Sequence, residues 1–188
     1  YVDGKLTGEL VTYVDPETEF DGMNISIHGI DDSTVKGSPK YLDVWSELYS
    51  YLDNSIVVSH MPFDQQAISQ TADRYRIRPP ESTWLDSAKI ARRAWSEFAK
   101  RGYGLSNVCK TLGYKFEHHD ALADAKAAGH IVISAIRHSG TDLSGWLDLV
   151  NGPVGARVGY QSLNRSGNSQ GIRAGEVLTF TGALRMPR

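Results

Sequence analysis

The sequence predicts an α/β fold in which helices flank a sheet. Short apolar runs alternate with helical stripes between residues 55 and 138, a pattern typical of layered α/β proteins. Residues 56–58 are all apolar, as expected for a parallel strand buried on both faces, and residues 83–86 predict a second short strand. Residues 121–137 are rich in alanine and predict a long helix.

Helices fill the segments between and around these strands. Apolar side chains with the spacing of one helical face predict the first of them: Tyr41, Val44, Trp45, Leu48 and Leu52. Further helices are predicted over residues 65–75, 87–100 and 105–112. Near the start, an Asp-Gly turn at residues 3–4 precedes a predicted strand at residues 10–14.

Composition limits the class of protein. The 188 residues carry a net charge of -2, which excludes a binder that holds nucleic acid by bulk positive charge, but not an enzyme that uses metal ions. The single cysteine excludes an internal disulfide and favours a reduced, cytoplasmic setting. The apolar runs are shorter than the roughly 18 residues of a membrane span, so no membrane partner is predicted.

The sequence texture divides the chain into three parts. Residues 1–145 form the predicted domain. Residues 146–175 are predicted to be a linker, since the stretch from Asn151 onward is rich in Gly, Ser, Asn and Arg. Residues 176–188 predict a further strand followed by a Thr-Gly turn.

Residues 118–124 carry the clearest chemical pattern. A helix that starts near Asp120 leaves His119 in the preceding loop and puts Asp124 in the first turn, where the helix dipole favours the ionised carboxylate. An aspartate that holds Mg²⁺ or Mn²⁺ beside a histidine that accepts a proton from water is typical of hydrolases. His118 is a rival for the role of base. Alternatively, His119 and Asp120 only cap the helix and Asp124 is solvated.

A second carboxylate follows the buried strand. Asp64 ends the segment Ser-His-Met-Pro-Phe-Asp at residues 59–64, just beyond the carboxyl end of the strand, where open α/β sheets bind ligands. The alternative is an ordinary aspartate at a helix N-terminus.

Together these segments resemble the DEDD-type, DnaQ-like 3'–5' exonucleases of the catalytic-histidine subgroup. The family's third motif, His-x-Ala-x-x-Asp-Ala, is matched fully by residues 119–125. Its second motif, His-Asn-x-x-Phe-Asp, is similar to residues 59–64, with Ser59 and His60 at the two departing positions. Residues 27–30, Ile-His-Gly-Ile, are similar to the segment that packs against the terminal nucleotide in the family.

The resemblance implies a ribonuclease H-like mixed sheet and a metal-dependent exonuclease, similar to the epsilon chain of DNA polymerase III. The implied substrate is a single-stranded 3' end, with DNA favoured over RNA and the choice between them left open. Asp124 is then a direct metal ligand, Asp64 a ligand of a second ion and His119 the general base, with Mg²⁺ or Mn²⁺ as the ions. The same resemblance implies substrate contacts by four residues: His28, Ile30, His60 and Phe63.

The family's first motif, Asp-x-Glu on the central strand, is the main departure. The chain contains this pattern only at Asp15 and Glu17. Pro16 between them cannot donate a hydrogen bond to a sheet ladder, so we expect this segment to be a loop and not the motif. The N-terminal central strand, with its acidic pair and hence the second ion, is then expected upstream of Tyr1, and the activity of this fragment by itself stays open.

Two other functions stay open from the sequence. The first is a non-catalytic module that binds nucleic acid or protein on the same scaffold. The second, a small-molecule hydrolase, has no motif in its favour. Residues 175–184 also resemble the opening strand and Thr-Gly turn of a BRCT domain, which implies a protein partner through that region.

Overall fold

Short parallel strands with helices around them make up the part of the chain that the computed structural model describes, residues 1–152 and 177–179. In chain order the elements are α1 (Gly22–His28), α2 (Tyr41–Leu52), β1 (Ile56–Ser59), α3 (Phe63–Tyr75), β2 (Thr83–Asp86), α4 (Ser87–Ala94), α5 (Phe98–Arg101), α6 (Leu105–Thr111), α7 (Ala121–Ser139), α8 (Leu143–Asn151) and β3 (Val177–Thr179). None of the helices among these residues is long and apolar enough to cross a bilayer.

The sheet brings the carboxyl ends of β1 and β2 to the same edge. Its strand order is β2-β1-β3, and β1 pairs in parallel with both neighbours. Ser59 lies opposite Asp86, so β1 and β2 end together. Because α3 joins these strands, they form a βαβ unit whose carboxyl ends meet at one edge. The prediction of an α/β fold with helices around a sheet is confirmed.

The two faces of β1 explain why this strand is apolar throughout. Alternate side chains point to opposite faces of a strand. Ile56 and Val58 pack in a cluster with residues of α4, α7 and α8, whereas Val57 packs with Leu52 and Ile68 on the other side. All four β1 residues are buried.

The domain core extends beyond the predicted boundary at residue 145. Trp146 and Val150, four residues apart on α8, belong to the same cluster as Ile56 and Val58. Trp146 is completely buried, and α8 therefore covers one face of the sheet instead of starting a linker. The rest of the predicted linker, residues 153–175, lies outside the described residues.

The strand predicted to open a BRCT domain has a different position. Val177–Thr179 pairs with β1 on the edge opposite β2, in the register that puts Val177 beside Ile56. In the structure this strand therefore belongs to the same sheet as β1 and β2. Residues 180–188, which would continue a BRCT domain, lie outside the described residues.

The N-terminal segment forms less regular structure than predicted. Residues 10–14 are not a strand, and the pairing nearby is limited to single bridges between Val2 and Lys5 and between Asp15 and Lys40. A strand needs a partner, and no described strand lies beside this segment, so its apolar side chains are exposed: Leu10, Val11 and Tyr13. The expectation of a mixed sheet is wrong for the described strands, because all three are parallel.

Candidate active site

The start of α7 has the local structure that the sequence predicts. The helix begins at Ala121 with Asp120 as its N-cap, and the Asp120 carboxylate accepts a 2.7 Å hydrogen bond from the Ala123 amide. This cap satisfies a backbone donor that the helix cannot satisfy itself. His119 precedes it with a φ of 76°, in the left-handed region, and Asp124 lies in the first turn.

This junction brings together His118, His119 and Asp124. Their candidate ligand atoms all lie within 4.8 Å of one another. The His118 Nδ1 and Asp124 Oδ1 atoms are 3.0 Å apart, and the two imidazole rings stack with their centroids 4.0 Å apart. The His118 side chain is 42% exposed and that of Asp124 is 16% exposed, so the cluster is accessible from solvent.

Asp64 has the predicted position at the sheet edge. It lies in the first turn of α3, directly after β1, and is 5% exposed. It is not part of the cluster around Asp124. The implied role of Asp64 as the ligand of a second ion beside Asp124 therefore stays a prediction.

Asp86 fixes the turn that connects β1 to α3. Its Oδ1 atom accepts hydrogen bonds from the amides of Met61, at 3.0 Å, and Ala88, at 2.9 Å. The first bond crosses from β2 to the segment after β1, and the second caps α4. Sequence reasoning did not identify Asp86; its place at the end of a strand and the start of a helix is the available signal.

His60 connects three segments near the same edge. Its Nε2 lies 2.8 Å from the Tyr103 carbonyl oxygen, and its Nδ1 lies 2.9 Å from the Ser87 hydroxyl oxygen. Because a carbonyl only accepts, Nε2 is the donor. Both ring nitrogens are thus engaged within the protein, and the implied role of His60 in substrate binding stays a prediction.

The environment of His60 links the two motifs. Burial lowers the pKa of its imidazole, whereas the hydrogen bond to the Tyr103 carbonyl and the negative charges of Asp86 and Asp124 oppose that shift. The charge of His118 acts in the same direction as burial. The charges of Asp124 and His118 therefore influence the imidazole that follows β1.

The other implied substrate residues form no single group with the cluster. His28 ends α1, and its Nδ1 accepts a 3.0 Å hydrogen bond from the Ile30 amide, which stabilises the turn at Gly29. Phe63 is the first residue of α3 and is 58% exposed beside Asp64. An exposed ring next to a buried carboxylate is suited to contact a base, but the substrate roles of these residues stay predictions.

Glu17 is bonded to side chains of two other segments. Its carboxylate is 2.7 Å from Lys40 Nζ and 2.6 Å from the Tyr75 hydroxyl. These two hydrogen bonds lower the pKa of Glu17. Tyr75 is the last residue of α3, about 16 Å along the helix from Asp64. Glu17 therefore lies at the opposite end of α3 from the sheet edge.

The Asp15 carboxylate is used in a local turn and does not lie on a strand. Its Oδ1 accepts a 2.9 Å hydrogen bond from the Glu17 amide, which closes a local turn across Pro16. Neither Asp15 nor Glu17 joins the cluster of His118, His119 and Asp124. That this pair is not the first motif stays a prediction.

The donor set decides which metal centre fits. Within the described ranges the cluster supplies one carboxylate and two imidazoles. This set fits one divalent ion. It does not fit a pair of ions bridged by several carboxylates, because Asp64 lies outside the cluster and Asp15 and Glu17 bond elsewhere.

Comparisons with known proteins agree with the fold. A model of the exonuclease family (RNase_T) matches residues 2–132. The chain is 26% identical over 161 residues to DNA polymerase III PolC-type of Oceanobacillus iheyensis, which covers 84% of this chain and 11% of the relative. It is 22% identical over 132 residues to the same polymerase of Halalkalibacterium halodurans, covering 69% of this chain and 9% of that one. The chain thus spans about a tenth of these relatives.

A solved structure has a similar fold. Exonuclease X in complex with 5' overhanging duplex DNA superimposes with a TM-score of 0.61 at 22% identity, over 80% of this chain and 86% of that one. Because the family model covers most of the chain, including both motif segments, the chain belongs to the exonuclease family.

Proposed function

We propose that this chain is a metal-dependent 3'–5' exonuclease domain that acts on single-stranded 3' ends, of DNA in preference to RNA. The observation that carries the proposal is the meeting of His118, His119 and Asp124 at the start of α7, in a chain of the exonuclease family. DNA is favoured because the relatives are DNA polymerases and the structural neighbour holds a DNA duplex.

Each site residue has a distinct proposed role. Asp124 binds a divalent ion, Mg²⁺ or Mn²⁺, and Asp64 binds a second ion where further carboxylates complete the site. Members of this family generally use divalent metals, and a bound ion supplies positive charge for the phosphate and a more acidic water. The described residues fit one ion, which Asp124 holds in this chain.

His119 is the proposed general base. Its ring stacks on His118, whereas His118 is the imidazole in contact with the Asp124 carboxylate. His119 is exposed in a loop that the Asp120 cap holds in place, so water reaches it without any rearrangement of α7. Its task is to accept the proton of the water that attacks the terminal phosphodiester.

The test is digestion of oligonucleotides labelled at one end. The purified chain is incubated with 3'-labelled and 5'-labelled single-stranded DNA, in Mn²⁺, in Mg²⁺ and in EDTA, with matched RNA as a further arm. We expect the 3' label to be lost first as a mononucleotide, while the 5'-labelled strand shortens stepwise, and EDTA to stop both. Loss of the 5' label first, or internal cuts, would contradict the proposal.

A non-catalytic nucleic-acid-binding module is the second candidate. The observation in its favour concerns the carboxylates of Asp15 and Glu17. Asp15 accepts a hydrogen bond from the Glu17 amide, and the Glu17 carboxylate bonds to Lys40 and Tyr75. Asp124 is then the one carboxylate in the cluster with the two histidines. If this second function is correct, the chain binds the oligonucleotides without cutting them. Cleavage after fusion of a strand that carries Asp-x-Glu ahead of Tyr1, but not without it, separates the two functions.

A further inference from the structure

Helix α4 is positively charged in a chain whose net charge is -2. It carries three basic side chains and no acidic one: Lys89, Arg92 and Arg93. We propose that Lys89 and Arg92 bind backbone phosphates of the single strand whose 3' end is cleaved, at nucleotides before that end. The inference rests on the proposed function for the identity of this ligand, but the binding is measured without cleavage.

Lys89 and Arg92 are presented together to solvent. They lie three residues apart and therefore on the same face of α4. Both side chains are exposed, whereas the helix buries its other side through Ala88, Ile90 and Ala91. The ion pairs found among the described residues involve neither of the two basic groups. Their positive charges are thus available to an added anion.

A groove runs beside this face of α4. It consists of two cavities of about 210 and 330 Å³, whose linings share Pro62, Asp86 and Lys89. Arg92 and Met61 also line the smaller cavity. Met61 and Pro62 directly precede α3, whose first turn holds a proposed metal ligand. The groove, called the α4 groove below, therefore connects the basic side chains to the segment that enters the candidate active site.

An aromatic ring holds the Arg92 side chain in place. The Cζ atom of Arg92 lies 4.7 Å from the centroid of the Tyr103 ring. A guanidinium that stacks on a ring keeps the N–H donors at its edge free to form paired hydrogen bonds with a phosphate. The Tyr103 carbonyl accepts a hydrogen bond from His60, which ties this loop to the segment after β1. Because Arg92 is already ordered, it loses less side-chain entropy when a phosphate binds.

The charge balance of the α4 groove favours a phosphodiester. Asp86 is the acidic group among the described residues that line it. Its Oδ1 accepts hydrogen bonds from the Met61 and Ala88 amides, which stabilise the carboxylate within the fold. Lys89 and Arg92 leave a surplus of one positive charge. A nucleic-acid backbone, with one negative charge per phosphate, complements that surplus.

The test is binding of a 5'-fluorescein-labelled oligothymidylate to the full chain, measured by fluorescence anisotropy in EDTA over a series of NaCl concentrations. For a single strand, the logarithm of the binding constant falls with the logarithm of salt concentration by about 0.7 for each phosphate contact. The double variant Lys89→Gln/Arg92→Gln should therefore reduce this slope by about 1.4. It should weaken binding on the order of 20-fold at about 0.1 M NaCl.

A matched control removes the same charge elsewhere. Arg76 follows α3 and Arg137 lies in the last turn of α7, at the helix ends opposite those that carry the proposed metal ligands. Both are exposed, and Arg76→Gln/Arg137→Gln should bind within about threefold of the wild type, because distant surface charges are screened. Lys89→Glu is a further variant in case the first double variant fails to fold, since it leaves the contact between Arg92 and Tyr103 in place.

Three results would overturn the inference. The first is an equal loss of affinity in the two double variants, and the second is an unchanged salt slope in the folded α4 variants. The third is a wild-type chain that does not bind the oligothymidylate at low salt. Tighter binding of a blunt duplex than of the single strand, lost in the same variants, would assign the α4 groove to duplex and would also contradict the proposal.

Cleavage assays separate this inference from the proposed function. In the α4 variants KM should rise while kcat changes little, because the groove binds nucleotides that do not react. Strand binding through Lys89 and Arg92 without any cleavage supports the inference and contradicts the exonuclease. Cleavage with the wild-type KM in the α4 variants supports the exonuclease and contradicts the inference.

Discussion

Residues 15–17 and residues 118–124 both present carboxylates in short acidic motifs, but their surroundings differ. Glu17 is neutralised by Lys40 and bonded to Tyr75, far along α3 from the sheet edge. Asp124 lies at the start of a helix with two imidazoles beside it. The first carboxylate has its partners within the fold, whereas the second lies in a cluster open to an added ion.

The difference shows that local backbone structure decides what an acidic pattern can do. Pro16 keeps its segment out of a sheet ladder, and the carboxylate of Asp15 closes a turn on the Glu17 amide. Asp120 instead caps α7, which orients Asp124 one turn later toward the loop that carries the histidines. A comparison of matched variants in the two segments tests this explanation.

The largest expected effect is on cleavage. Asp124→Asn removes the only carboxylate of the cluster, so we expect metal-dependent release of the 3' label to fall by about 10³-fold or more, as for loss of a key electrostatic group. Glu17→Gln, which keeps the shape of a side chain bonded to Lys40 and Tyr75, is the control and should cleave at the wild-type rate. Equal losses in both variants would remove the distinction between the segments.

The next effect concerns His119. Both His119→Ala and His119→Gly should slow cleavage by about 10²–10⁴-fold, the usual contribution of a general base. Because the φ of His119 is 76°, the Gly variant should be more stable than the Ala variant by roughly 0.5–1 kcal/mol. Chemical denaturation measures this difference. If His119→Ala cleaves at the wild-type rate, His119 is not the general base. That role then belongs to His118 or to no side chain.

A stability comparison contrasts the core with the N-terminal segment. Trp146→Ala should destabilise the domain by about 3–5 kcal/mol because it leaves a cavity beneath α8. Trp146→Phe should cost clearly less, since the buried indole nitrogen has no hydrogen-bond partner among the described groups. Tyr13→Ala, at a side chain that is 54% exposed, should change stability by less than about 0.5 kcal/mol. Urea unfolding curves of the three variants provide the check.

The smallest effect is a pH dependence due to His60. Because burial lowers its folded-state pKa, the unfolded chain binds the proton more readily, so stability is retained above the ordinary imidazole value of about 6.5 and is lost as the pH falls below it. His60→Asn should reduce the slope of stability against pH, which is at most about 1.4 kcal/mol per pH unit for one proton. Burial also lowers the pKa of His130, so part of the dependence of stability on pH should remain in this variant. An unchanged slope in His60→Asn would contradict the role of His60.

The sequence predicts the elements whose pattern arises from burial. Apolar periodicity correctly indicates four elements: β1, β2, α2 and α7. The sequence also predicts that α7 starts near Asp120, which puts Asp124 in its first turn. The helix predicted over residues 87–100 is divided into α4 and α5, because Trp95 adopts extended backbone as it packs against Phe98.

Other features depend on partners that are distant in sequence. A strand at residues 10–14 needs a neighbouring strand, which periodicity alone does not supply. The contact between His118 and Asp124 depends on how the loop before α7 turns at His119, and that turn rests on a left-handed residue that is not glycine. For the same reason the links from His60 to Ser87 and Tyr103 emerge only in the folded chain.

The pairing of β3 with β1 has a consequence for the order of folding. β1 and β2 are joined by a single helix, whereas the residues that pair between β1 and β3 are roughly 120 positions apart, which adds about 1.3 kcal/mol of loop-closure entropy relative to the β1–β2 pair. Contacts between distant segments form late in folding. We therefore expect an early intermediate in which β1, α3 and β2 are assembled and the other edge of β1 is still open. Such an open edge is a template for pairing between chains, so refolding yield should fall as protein concentration rises.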